Sequence, residues 1–121
     1  MSIKAFFQKH VETRDKHPET ILRTRYYNAS YEKAKAELFA IAKEKGYTVK
    51  NVNDRYKEAF LETRSHYVIV TFMKTTPLET AIDFKVGMYG LLGLNRPRTI
   101  VHGLYDAMSK RLPLKGIGLY A

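Results

Sequence analysis

Cysteine is absent from this chain. Disulfides, thiolate catalysis and cysteine-ligated metals are therefore excluded, and the composition fits a reducing compartment. Long apolar runs are also missing: no stretch approaches the roughly 18 residues that a membrane-spanning helix needs. The opening "MSIKAFFQKHVETRDKH" lacks the form of a signal peptide, because Lys4, Gln8 and Lys9 interrupt its apolar content and no small-residue cleavage site follows. Ser2 stands where N-myristoylation requires glycine. These absences predict a cytoplasmic protein. Proline is scarce, and two of the four, Pro18 and Pro113, bracket the patterned part of the chain.

Positive charge, by contrast, is in excess. The 121 residues carry a net charge of +9, which raises nucleic acid or an anionic membrane surface as a partner. The excess is diffuse. Residues 1–28 hold six basic and three acidic side chains, residues 29–90 ten and eight, and residues 91–121 five and one. Such a spread also serves plain solubility.

Hydrophobic periodicity gives the elements. Residues 3–11 place Ile3, Phe6, Phe7 and Val11 at helical spacing, and the polar run 12–20 with Pro18 reads as a tether. The division expected is an amphipathic segment plus tether over 1–19 and one domain over 20–121. Residues 21–28, "ILRTRYYN", read as a strand. Ser30 fits a helix N-cap, Ala34, Leu38, Ile41 and Ala42 follow the helical period over 31–45, and Gly46 fits the position after the helix. Four strands are predicted next, over 47–52, 55–64, 67–74 and 80–89, with one polar face each in the alternating segments. Residues 97–112 form a second helix, with Ile100, Val101, Leu104, Tyr105, Met108 and Leu112 on one side and Pro97 in the first turn.

The order β-α-β-β-β-β-α predicts an α+β fold, an antiparallel sheet with both helices on one face. In element order it is similar to the TATA-binding-protein-like and helix-grip folds, and folds do not carry function. The segments "ETRDKHPETILRTRYYNASYEKA", "ETAIDFKV" and "LPLKGIGLY" resemble those of a group of small, uncharacterised cytosolic proteins of Gram-positive bacteria. That resemblance implies a bacterial cytosolic location and no activity, and it carries over no site residue.

The stretch "GMYGLLGLNRPRT" (87–99) raises the question of a phosphate cradle. Its spacing is G-x-x-G-x-x-G, whereas a dinucleotide fingerprint needs G-x-G-x-x-G between a buried parallel strand and a helix. Leu91 and Leu92 suit a phosphate backbone poorly. Two readings stand: an irregular end to the last strand, in which glycines permit unusual dihedrals, or a modest anion site at a helix N-terminus helped by Arg96 and Arg98. A nucleic-acid surface would draw on Arg96, Arg98, Arg23, Arg25 and Tyr27, with tyrosines stacking on bases; tyrosine is also ordinary strand composition. Phe6 and Phe7 could dock on protein, on a second copy or on a lipid surface.

No metal-ligand spacing accompanies His102 and Asp106. Glu58 and Glu62 are too far apart along a strand for a carboxylate dyad, and no serine sits in a nucleophile elbow. No cofactor is implied. The expectation is a non-enzymatic module that binds a ligand or a protein, self-association included. A nucleic-acid-binding accessory protein or a peripheral membrane adaptor is the alternative. A pocket between sheet and helix could still hold converging polar groups.

Overall fold

Residues 10–90 and 96–119 are described by the structure, a computed structural model. The segment read as nearly all apolar becomes a central strand, because a strand buried on one face and flanked on both edges has little water to meet. Its bounds are His66–Thr76. In chain order the strands are β1 (His10–Glu12), β2 (Arg25–Tyr27), β3 (Thr48–Asn53), β4 (Glu58–Glu62), β5 (His66–Thr76), β6 (Glu79–Met88) and β7 (Leu114–Ile117). The helices are α1 (Tyr31–Glu44) and α2 (Arg96–Arg111), and a 3-10 turn covers Thr20–Leu22.

All seven strands join one antiparallel sheet, ordered β3-β4-β5-β6-β2-β7, with β1 also paired to β6. The fold is therefore α+β, with two α-helices among the described residues where the hydrophobic pattern predicts them. Period-two burial sorts the faces. Ala59, Leu61, Val68, Val70, Phe72, Ile82, Phe84 and Val86 are buried, and they share one core with Leu38 and Ile41 of α1 and Val101, Leu104, Tyr105 and Met108 of α2. Both helices thus cover the same face of the sheet. Burying each leucine there contributes on the order of 1.5–3 kcal/mol.

Local chemistry sets the helix ends. The Ser30 hydroxyl accepts from the Lys33 amide at 3.2 Å, which caps α1. Gly46 takes φ of 81°, a left-handed conformation that costs a glycine little, and it turns the chain so that the Tyr47 amide donates to the Ala42 carbonyl at 2.8 Å. Arg111 in the last turn of α2 pairs with Glu37 at 3.0 Å and with Glu44, tying the two helices together.

The N-terminal region departs from the expectation. Val11 is in the core and His10–Glu12 pair with Gly87, Val86 and Lys85, so residues 10–12 belong to the sheet. β2 pairs with residues 80–82 of the same strand. β1 and β2 are therefore two pieces lying end to end along one edge of β6, separated by an excursion over residues 13–24. The predicted tether is this excursion, and it is closed at its base: the Arg14 amide donates to the Leu22 carbonyl at 3.1 Å and the Thr24 amide to the Arg14 carbonyl at 3.2 Å. The strand expected over 21–28 is shortened to 25–27 because residues 20–22 form the 3-10 turn under α2. The apolar tail after Pro113 supplies β7, which pairs with β2.

Where the edge strand is interrupted, side chains take over the hydrogen bonding. Thr13 Oγ1 accepts from the Phe84 amide at 2.9 Å and from the Tyr105 hydroxyl at 3.1 Å, and donates to Asp83 Oδ1 at 2.6 Å. Thr24 donates to the same oxygen at 2.7 Å. Burial pushes the Asp83 carboxyl above its ordinary range, with the two threonine hydroxyls opposing that rise.

Candidate anion-binding cleft

The end of the sheet opposite the β5–β6 turn gathers segments that lie far apart in sequence. α1 ends at Glu44, Gly46 reverses the chain, and Thr48 and Lys50 follow on the edge strand β3. Thr48 pairs with Glu62, the last residue of β4. Thr63 and His66 then close a tight turn, the Thr63 amide donating to the His66 carbonyl at 2.8 Å, with Arg64 and Ser65 exposed at its tip. β6 arrives from the other side, and the Tyr89 amide donates to the Ser65 carbonyl at 2.9 Å. Between these pieces lies a cleft of about 450 Å³ lined by Gly46, Thr48, Lys50, Glu62, Thr63, Arg64 and Tyr89.

Its charge is set by Lys50, Arg64 and Glu62. None of the ion pairs among the described residues involves Lys50 or Arg64, or Arg96 at the start of α2. The one carboxylate, Glu62, accepts from the Tyr89 hydroxyl, and this bond pushes the Tyr89 phenol up to about 12. Two ammonium- or guanidinium-bearing side chains with no acidic partner, beside the hydroxyl of Thr48, form a surface that attracts anions.

Next to the cleft sits His66, 8% exposed. The Tyr47 hydroxyl is 2.6 Å from Nε2, and Ser65 Oγ is 2.7 Å from Nδ1. Burial, followed by the positive charge of Arg96, lowers the His66 pKa and favours the neutral ring. Desolvation likewise pushes the Tyr47 phenol up to about 12. Serine against histidine is the beginning of a nucleophile–base pair. An acyl or phosphoryl transfer also needs donors aimed at the developing oxyanion. The amides of Ser65 and His66 both donate to Thr63 Oγ1, at 3.3 and 3.2 Å, so this turn spends its two nearest donors internally. Among the described residues no group of three His, Asp or Glu side chains could hold a metal ion.

The residues singled out in the sequence are dispersed. Arg96 is exposed at the start of α2 and close enough to His66 to affect its charge. Arg98 forms an ion pair with Glu19 at 2.7 Å. Arg23 donates through Nε to the His17 carbonyl at 2.7 Å. Arg25 runs beneath α2, its guanidinium carbon 4.7 Å from the Tyr105 ring centroid and one nitrogen 3.2 Å from Ser109 Oγ. Tyr27 is fully buried, its hydroxyl 3.0 Å from the same Ser109 oxygen. Arg23 and Arg98 are held by residues 17 and 19, Arg25 and Tyr27 meet at Ser109, and Tyr27 has no face free to stack on a base. Phe6, Phe7 and Gly93 lie outside the described residues.

The glycine question receives a steric answer at Gly87. The Tyr67 ring lies against its Cα, and an added Cβ would sit inside that ring. Gly87 serves ring packing on the open face of the sheet, with no left-handed backbone involved. Tyr67 stacks on Phe60, centroids 5.6 Å apart at 12°, and meets Tyr89 at 5.9 Å. Lys50 and Arg64 carried no signal of a site in the sequence; only the position of Tyr89 within the glycine stretch pointed to this end of the molecule.

No protein-family model and no curated protein matches this sequence.

Proposed function

We propose that this protein is a non-enzymatic binding module that takes an anionic ligand into the cleft between β3, the β4–β5 turn and Tyr89. The observation that carries this reading is the pairing of Lys50 and Arg64 across a polar cleft without an acidic partner. Other basic side chains are divided: Lys35, Arg98, Arg111 and Lys115 are tied to Asp54, Glu19, Glu37 and Glu79, while Lys43, Lys45, Lys74 and Lys85 also form no ion pair among the described residues, so it is their place in a cleft that distinguishes Lys50 and Arg64. A non-enzymatic role is favoured because the amides beside Ser65, the donors an oxyanion would need, are committed to Thr63. A cytoplasmic setting accords with the absence of cysteine, and among the described residues no helix is long and apolar enough to cross a membrane.

Titration calorimetry with pyrophosphate at low salt tests this. Binding should weaken at least about tenfold in Lys50→Gln/Arg64→Gln, the loss expected when one or more charge-assisted hydrogen bonds of about 1.5–3 kcal/mol disappear. Equal binding by both proteins, or none by either, would overturn the reading. A generic single-stranded oligonucleotide and anionic vesicles, run in parallel, examine the two alternatives of nucleic acid and membrane.

A further inference from the structure

We infer that the anion recognised by this cleft is a mononucleotide, with its phosphates on Lys50 and Arg64 and its base stacked on Tyr89. The inference rests on the anion-binding reading and adds the chemical class of the ligand.

Tyr89 is 44% exposed and lines the cleft. Its ring is not a loose surface aromatic. The hydroxyl is fastened to Glu62, one side leans on Tyr67, and Tyr67 is itself stacked on Phe60 and seated against Gly87. Ordering an aromatic ring before the ligand arrives removes an entropic cost that binding would otherwise incur. The other strongly exposed tyrosine among the described residues, Tyr56, differs: it is 63% exposed, and the Arg55 guanidinium already lies over its ring at 5.5 Å from the centroid. A fixed ring, two unpaired cations and the Thr48 hydroxyl around one cleft match the parts of a nucleotide: a planar base, a phosphate and a sugar. Glu62 adds an acceptor for an amino group of the base or a ribose hydroxyl. The volume, about 450 Å³, falls within the range of small-ligand sites.

The same surface argues for a single nucleotide over a strand of nucleic acid. Beyond the cleft, the open face of the sheet presents Glu58 opposite Thr71 and Glu12 opposite Lys85. A polyphosphate backbone crossing that face would meet two exposed carboxylates and one lysine. A mononucleotide confined to the end of the sheet avoids them.

The test compares ADP with pyrophosphate in the wild type, Tyr89→Leu and Tyr89→Phe by titration calorimetry. Base–aromatic stacking predicts that ADP binds roughly 5–150-fold more tightly than pyrophosphate. Tyr89→Leu should bring ADP close to the affinity of pyrophosphate, ADP losing several-fold more than pyrophosphate does. Tyr89→Phe keeps the ring and should keep the preference for ADP. Equal affinities for the two probes in the wild type, or equal losses of both in Tyr89→Leu, would overturn the nucleotide assignment while leaving anion binding in place. Failure of both probes to bind would remove the anion reading and this one with it. Tighter binding of a thymidine oligomer than of ADP would also overturn it, in favour of single-stranded nucleic acid.

Discussion

Two polar clusters on opposite sides of β6 show how differently similar side chains can be used. At the break between β1 and β2, Thr13, Thr24, Asp83 and Tyr105 satisfy one another: the Thr13 hydroxyl accepts two hydrogen bonds and donates a third. That cluster faces inward, and its hydrogen bonds replace a missing stretch of strand. At the cleft, Lys50 and Arg64 have no acidic partner among the described residues, and Tyr89 has an open ring face beside them. Polar groups whose donors and acceptors are all used inside the chain stabilise the fold. Polar groups left unpaired toward water remain free to bind something else.

The largest effect on stability should come from breaking the closed cluster. Thr13→Val is close to isosteric but strands the Phe84 amide and removes one donor from Asp83. The expected loss is about 1–3 kcal/mol in a urea melt, with pyrophosphate affinity unchanged. A loss of affinity would mean that the two clusters are coupled through β6.

An intermediate effect is expected at His66. Its folded pKa lies below the ordinary 6.5, so the unfolded chain binds a proton that the folded chain resists. Stability should therefore be fully present above pH 6.5 and decline as the pH falls through the folded pKa. His66→Gln should remove that decline, and the difference between denaturation midpoints of the two proteins across pH 5–8 measures it. A wild-type profile parallel to that of the variant would show that the buried ring titrates normally.

The smallest effect belongs to the open cluster. Lys50→Gln and Arg64→Gln should change stability by no more than about 0.5 kcal/mol, as for surface positions without a partner. A loss well above that would mean that these cations already have internal work, and the contrast between the clusters would collapse.

The sequence spells out the helices and the long strands. Leu38 and Ile41 on α1, and Val101, Leu104 and Met108 on α2, are all buried as their spacing predicts. A nearly unbroken apolar run locates β5, and alternation locates β6, each within a residue or two. β1 and β7 escape because three or four residues hold too short a period to register, and what makes them strands is the neighbour they pair with. The closed cluster is hidden for a related reason: Thr13 and Asp83 are 70 positions apart. The cleft draws on the end of α1, two hairpin strands and the end of β6, none of which carries a motif. The arginines that did stand out in the sequence are largely occupied, because a positive charge near a helix or turn readily finds a carboxylate or carbonyl once the chain is compact.

The split edge strand also constrains how the chain can acquire its shape while it is being synthesised. β1 and β2 emerge from a ribosome early, yet the strand that accepts them both, β6, comes much later. The free edge of β2 then waits again, for residues 114–117 of β7. Until those residues appear, a nascent chain presents unpaired backbone groups that a neighbouring chain on the same messenger could capture. The segment after Pro113, short as it is, is therefore the piece that covers β2, and a ribosome that stalls before reaching it leaves that inner strand open to a stranger.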